Sequence, residues 1–164
     1  MTEKMTKSGA TARELMDWGI LSGSIGPRIR LLRNAMQMRS ITASAPHGLP
    51  TGSLTVLALV AANPGSSQIA LARQAGINKS GLVGIVDELE RRGLAARDRS
   101  LADRRRNTLR VTPEGEEMMH ALFGLVTQQE APVRDALGPE DMALLISLVD
   151  RAIAALEEDE ADKG

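Results

Sequence analysis

Two helix-start signals and two helix-stop signals follow one another between Ser67 and Gly93. Ser67 can cap a helix by accepting a hydrogen bond from a free first-turn N–H, and Gly76 can take the left-handed conformation that ends one. Asn78 repeats the start signal and Gly93 the stop. Ile69, Leu71 and Ala72 give the first short helix an apolar face. Leu82, Ile85, Val86 and Leu89, three or four residues apart, do the same for a second helix expected to reach Arg92. Two short helices joined by a glycine-containing turn make a helix-turn-helix outline, although unrelated helical pairs share it.

The residues that follow narrow the choice. Leu94 to Arg97 and Thr108 to Val111 are short and apolar enough to pair as strands, with Leu109 and Val111 alternating against Thr108 and Arg110. Between them, Asp98 to Asn107 forms a loop carrying Arg99, Arg104, Arg105 and Arg106. The expectation is a β-hairpin with a basic tip placed directly after the second helix. Thr112 then caps a long helix with Pro113 at its first position, expected to run to about Leu137 with a kink or break at Pro132. Gly138 and Pro139 punctuate it. A last helix, Glu140 to about Leu156, presents Leu144, Leu145, Leu148, Val149, Ile153 and Leu156.

Upstream, residues 1–10 are mostly polar and read as a disordered tail. Leu15, Met16, Ile20 and Leu21 have helical spacing over Thr11 to Ser22. Gly23, Gly26 and Pro27 interrupt it, so residues 11–42 form either two helices, the second from Pro27 to Thr42, or one kinked helix. Ala45 to Gly52 is a connection rich in proline and glycine. Ser53 to Ala62 forms a third helix, ended by Asn63, Pro64 and Gly65.

With 164 residues the chain suits one domain. Charge is nearly balanced, 20 basic against 21 acidic residues, but unevenly spread. Residues 1–66 hold 7 basic and 3 acidic residues, 67–111 hold 10 and 5, and 112–164 hold 3 and 13. A basic middle beside an acidic C-terminal third suggests a surface for a polyanion; solvated faces of mixed sign are the bland alternative. Cysteine is absent, which removes disulfides, thiolate zinc sites and cysteine nucleophiles. Trp18 and Phe123 are the only aromatics, which argues against single-strand or RNA binding on stacked rings. The longest apolar run, Val56 to Ala62, is far short of the roughly 20 residues that span a bilayer. No signal-peptide core is visible in residues 1–10, so a cytoplasmic location is expected. His47 and His120 have no third ligand or nucleophile placed by spacing, so neither an enzyme nor a metal site or cofactor is expected.

The ordered set Leu71-Ala72, Gly76-Ile77, Leu82 to Gly93, Asp103-Arg104-Arg105 and Val111-Thr112-Pro113-Glu114-Gly115 resembles the MarR family of winged helix-turn-helix transcriptional regulators, over about Leu49 to Leu156. The resemblance implies a mainly α fold with a two-stranded β-wing and N- and C-terminal dimerisation helices. It also implies a homodimer in which each winged unit binds half of a near-palindromic double-stranded DNA operator, as a repressor released by a small-molecule effector. The expected organisation is a tail over 1–10, N-terminal dimerisation helices over 11–48, a winged unit over 49–111, and C-terminal dimerisation helices with a short acidic tail over 112–164.

Within that frame, Asn78, Lys79 and Ser80 at the start of the second helix are the candidate base readers, because only polar side chains near the N-terminus of a groove-entering helix reach base edges. Gly81 and Gly84 thin the same surface, at about 1 kcal/mol each relative to alanine; they either allow close backbone approach to DNA or mark a weak or shape-reading binder. Ser67 and Gln68 are candidate phosphate contacts, Ser67 being equally well explained as a plain cap. Arg104, Arg105 and Arg106 suit a minor groove, and Asp103 would orient one of them by a salt bridge. Met36, Arg39, Leu54, Leu57 and Met118 are candidate effector-pocket residues, and Leu54 stands where the family commonly has an aromatic. The methionines are otherwise core filler. The competing function is a winged-helix protein-interaction or dimerisation module, motivated by Gly81, Val83 and Gly84. Salt-sensitive DNA binding through the arginine tip separates the two.

Overall fold

The computed structural model describes residues 17–99 and 107–163. These fall into two compact units, one ending at Ala35 and one starting at Met36.

In the first unit, residues Gly19–Leu21 form a single 3-10 turn rather than the end of the helix expected over Thr11 to Ser22. Gly19 sits at φ 51°, outside the right-handed helical region, and its N–H donates to Asp17 Oδ1 at 3.0 Å. Residues 11–16 lie outside the described residues. Helix α1 (Gly26–Ser44) then begins, one residue before Pro27. Arg28 lies 4.7 Å from the centre of the Trp18 ring and donates to the carbonyls of Ser24 and Leu21 at 2.6 and 3.2 Å, tying the turn to the helix start.

The second unit holds the rest of α1 and then α2 (Ser53–Ala62), α3 (Gln68–Gln74), α4 (Lys79–Arg91), the strands β1 (Ala95–Arg99) and β2 (Asn107–Val111), and α5 (Pro113–Asp162). Local signals set most of these limits. Ser67 Oγ accepts from Ala70 N–H at 3.2 Å and Asn78 Oδ1 from Gly81 N–H at 2.7 Å, so both expected caps are made. Each is worth about 1 kcal/mol. Gly76 and Gly93, at φ 63° and 71°, supply the left-handed residues that end α3 and α4.

The core joins these elements. Val56, Leu57 and Val60 of α2 meet Leu71 and Ala72 of α3, and Leu82, Ile85, Val86 and Leu89 of α4, with Leu94, Ala95, Leu109 and Leu122 closing the cluster. Burying each large member contributes roughly 1.5–3 kcal/mol. Leu122, within the segment 112–164 expected to form dimerisation helices, belongs to this core instead. The hairpin is antiparallel, pairing Ala95 with Val111, Arg97 with Leu109, and Arg99 with Asn107. It runs two residues further on β1, and one on β2, than the apolar pattern indicates, because ladder hydrogen bonds and an Arg110–Asp98 ion pair at 2.9 Å extend it through polar positions.

Helix α5 is divided at Gly138, as expected, and differs from expectation at Pro132 and at its end. Pro132 lies inside it without a break, whereas Gly138 takes a non-helical conformation (φ 73°, ψ 173°) and divides it. Pro132 and Gln128 are both exposed, so water can satisfy the Gln128 carbonyl that the missing proline N–H leaves free. The positive φ needs a residue without a Cβ, and Gly138 provides it. The second half continues to Asp162, so the acidic residues expected as a tail are helical.

Candidate nucleic-acid interface

Helix α4 presents Lys79, Ser80, Gly84 and Asp87 on an exposed face, opposite the buried Leu82, Ile85, Val86 and Leu89. Ser80 Oγ donates to Asn78 Oδ1 at 2.9 Å, so the capping carbonyl serves both Ser80 and Gly81. The two glycines have different reasons to be there. A Cβ on Gly81 would lie 3.0 Å from Asn78 Oδ1 and 3.0 Å from Ile77 Cγ2, so the cap itself favours glycine. A Cβ on Gly84 would meet nothing within 4 Å. The fold therefore does not require that glycine. Ser67 and Gln68, half-buried, stand at the start of α3, which ends in the turn before α4. Asp103, Arg104, Arg105 and Arg106 lie outside the described residues.

The base of the wing is fastened to α4 by charges. Glu90 accepts from the Arg97 backbone N–H at 3.0 Å through one carboxylate oxygen and from the Arg97 guanidinium through the other. A second guanidinium nitrogen donates to Asp87 Oδ1 at 2.6 Å. Between these two acids in sequence, Glu88 accepts from Arg91 and Arg92, and these hydrogen bonds lower its pKa from 4.5 to about 2. Hydrogen bonding to Glu88 raises the Arg91 pKa in turn. Arg92 also donates to the His47 and Gly48 carbonyls at 2.7 and 2.6 Å, pinning the end of α4 to the connection after α1. On the other side of the hairpin, Thr112 Oγ1 donates to the Gly93 carbonyl at 2.7 Å and accepts from Gly115 N–H at 3.0 Å. A Cβ on Gly115 would lie 1.9 Å from the Leu94 carbonyl oxygen.

A small cleft of about 30 Å³ lies between Ser40, the segment Leu49 to Leu54, and Leu122, Leu125 and Val126 of α5. Of the five expected effector-pocket residues only Leu54 lines it. Leu57 is fully buried in the core, Met118 packs against that core, Met36 is half-buried and Arg39 is exposed on α1. Gly52, also in the cleft wall, sits at φ 93° with Ile77 Cδ1 and Ile85 Cδ1 at 3.1 and 3.3 Å from where its Cβ would be. The cleft wall thus bears directly on the turn before α4 and on α4 itself. Among the described residues no three His, Cys, Asp or Glu side chains are grouped to hold a metal ion, and no helix is long and apolar enough to cross a membrane.

Residues 47–106 match the model of the MarR family. Over 134 residues the chain is 32% identical to a protein of Thauera aromatica named as the transcriptional regulator of the hcr operon, covering 81% of each. The chain belongs to the MarR family of transcriptional regulators. Its fold matches that of CouR, a transcriptional repressor solved bound to a 23-mer DNA duplex, with a TM-score of 0.73 and 29% identity over 85% of this chain and 99% of that one. CouR from Rhodococcus jostii RHA1, bound to p-coumaroyl-CoA, matches with a TM-score of 0.70 and 28% identity over 82% and 94%.

This MarR protein thus has the winged helix-turn-helix expected of it, but several of its fastening residues have no motif of their own. Arg97, Asp87, Glu90 and Arg92 were not singled out from the sequence. The available signal was Asp87 and Glu90 three apart on one side of a helix, with an arginine at strand parity just beyond its end.

Proposed function

We propose that the chain acts in the cytoplasm as a homodimeric repressor that binds a near-palindromic double-stranded DNA operator and is released by a small aromatic acid or its CoA thioester. The observation that carries this reading is an α4 whose exposed face is polar or bare, anchored at both ends and joined to a wing base, in a chain similar to a repressor solved on a DNA duplex. Lys79 and Ser80 read base edges. Ser67 and Gln68 contact phosphate, as do Arg104, Arg105 and Arg106, oriented by Asp103.

Dimerisation through residues 11–48 and 112–164 is supported by apolar side chains left uncovered. Leu144, Ile146, Leu148, Ile153 and Leu156 on α5, and Ile29, Leu31 and Met38 on α1, are exposed. Charge supports the same pairing. No acidic residue occurs from Trp18 to Val86, a stretch that includes the four arginines of α1, whereas residues 112–164 carry 13 acids. An α1 facing a partner's C-terminal helix covers both apolar faces and pairs both charges.

The effector binds beside Leu54 by widening this small cleft, and a ligand that displaces Gly52 to do so presses on Ile77 and Ile85. CouR's p-coumaroyl-CoA complex supports an aromatic acyl ligand. The relatives are regulators, and we assign the chain no catalytic role.

The test is salt-titrated binding to a duplex selected by the protein from a random library and to a scrambled duplex. Arg105→Ala should flatten the slope of log affinity against log salt by about 0.9, lowering affinity for both duplexes. Unchanged slope and affinity would favour the interaction-module reading. Release is tested by adding p-coumarate or p-coumaroyl-CoA to the operator complex, and an affinity indifferent to both would remove the effector assignment.

A further inference from the structure

We infer that Arg97 is a positioning residue for operator discrimination: clamped by Asp87 and Glu90, it sets the angle of the wing against the recognition helix α4. The inference rests on the operator-binding reading and deepens it, because none of the residues assigned there to DNA contact belongs to the clamp.

Strand parity puts Arg97 on the inner face of the hairpin. It pairs with Leu109, which is buried, and its neighbour Ala95 on the same face is buried as well. An inward arginine would leave a charge against the core unless it found carboxylates at the edge, and α4 supplies two. Asp87 and Glu90 are three residues apart, so they project from one side of the helix. The guanidinium donates to Asp87 from one nitrogen and to Glu90 from another, while the second Glu90 oxygen takes the Arg97 backbone N–H. That N–H lies on the edge of β1 that β2 does not cover. One carboxylate therefore holds both the strand's backbone and its side chain, and the planar fork fixes direction as well as distance.

The consequence reaches the DNA contacts through leverage. Each residue beyond Arg97 lengthens the hairpin by about 3.3 Å, so a small rotation at this anchor becomes a larger displacement farther out. The recognition helix and the wing contact different grooves of one half-site in the proposed complex, and only a fixed angle lets both engage in register. The clamp also neutralises Asp87, an acid on the face that α4 presents. The Arg97 guanidinium is taken up by these carboxylates and is not free for phosphate.

The decisive variant is Arg97→Lys, which keeps the charge but replaces a two-armed fork by a single ammonium. The readout is the ratio of affinities for a duplex selected by the wild-type protein and a scrambled one, measured across a salt series with the thermal midpoint of each variant. The ratio should fall roughly tenfold, with scrambled-duplex affinity and salt slope unchanged. Glu90→Gln should lower the ratio less. The double variant should lose no more than Arg97→Lys alone, because the residues act as one unit. A role in stability alone would lower the midpoint and leave the ratio at the wild-type value; that result overturns the inference. So does a slope shallower by about 0.9, which makes Arg97 a phosphate contact. Wild-type protein that prefers no duplex overturns the operator-binding reading and this inference together.

Discussion

Replacing Gly84 by alanine separates what the fold needs from what DNA needs. Gly84 lies inside α4, where alanine is more favourable than glycine by about 0.8–1.0 kcal/mol. Its Cβ would meet nothing within 4 Å, so no steric cost offsets that gain. For a chain of this length about 1 kcal/mol raises the thermal midpoint by roughly 2–4 °C. The added methyl stands on the exposed face, which in the proposed complex approaches the major groove. A loss of operator affinity of about tenfold, or about 1.4 kcal/mol, is expected. Scanning calorimetry on the free protein and salt-controlled binding to the selected duplex give the two numbers. Opposite signs support the reading. A higher midpoint with unchanged affinity would refute a close approach at Gly84, and a lower midpoint would refute the open space on which the reasoning depends. Gly81→Ala is the matched control. Its Cβ would crowd Asn78 and Ile77 at 3.0 Å, so it should gain less stability than Gly84→Ala.

Three further outcomes follow from the geometry. Gly115→Ala places a Cβ against the Leu94 carbonyl and should cost about 3 kcal/mol, read as a lower urea midpoint. The Glu88 carboxylate ionises with a pKa of about 2 in the fold against an ordinary 4.5, so the unfolded chain binds more protons between those values and stability drops as the pH is lowered through them. The thermal advantage of wild type over Glu88→Gln should be full above pH 4.5, shrink as pH falls, and close near pH 2. Leu148→Glu, at an exposed apolar position on α5, should move the protein from dimer toward monomer in sedimentation; a wild-type monomer at micromolar concentration would sink the proposed assembly.

Sequence legibility tracked the range of the interactions. The caps Ser67 and Asn78, the glycines 76 and 93, and Pro113 at the start of α5 act within one helical turn, and each stands where local chemistry puts it. Pro132 misled because an exposed helix tolerates a lost hydrogen bond, whereas the positive φ of Gly138 is incompatible with helix whatever surrounds it. Leu57 and Leu122 stand on apolar helix faces, but an apolar face does not by itself say whether it meets the chain's own core, a ligand or a second copy. The Arg97 clamp depends on where β1 lands against α4, a tertiary outcome that spacing alone does not encode.

These contacts also limit how the proposed release from DNA can work. Helix α4 is held at its start by Asn78, along its length by Ile85 against Gly52, at its end by Arg92 on the His47 and Gly48 carbonyls, and beside the wing by Arg97. Turning α4 by itself would break several of these at once, each hydrogen bond to a charged group being worth about 1.5–3 kcal/mol where it is not fully solvated. A ligand in the cleft meets Gly52, which is one of the anchors, and so acts first on the packing that α2, α3 and α4 share. Release therefore requires an effector that binds the displaced arrangement more tightly than the DNA-competent one; a ligand indifferent to the two would fill the cleft and leave operator affinity where it was.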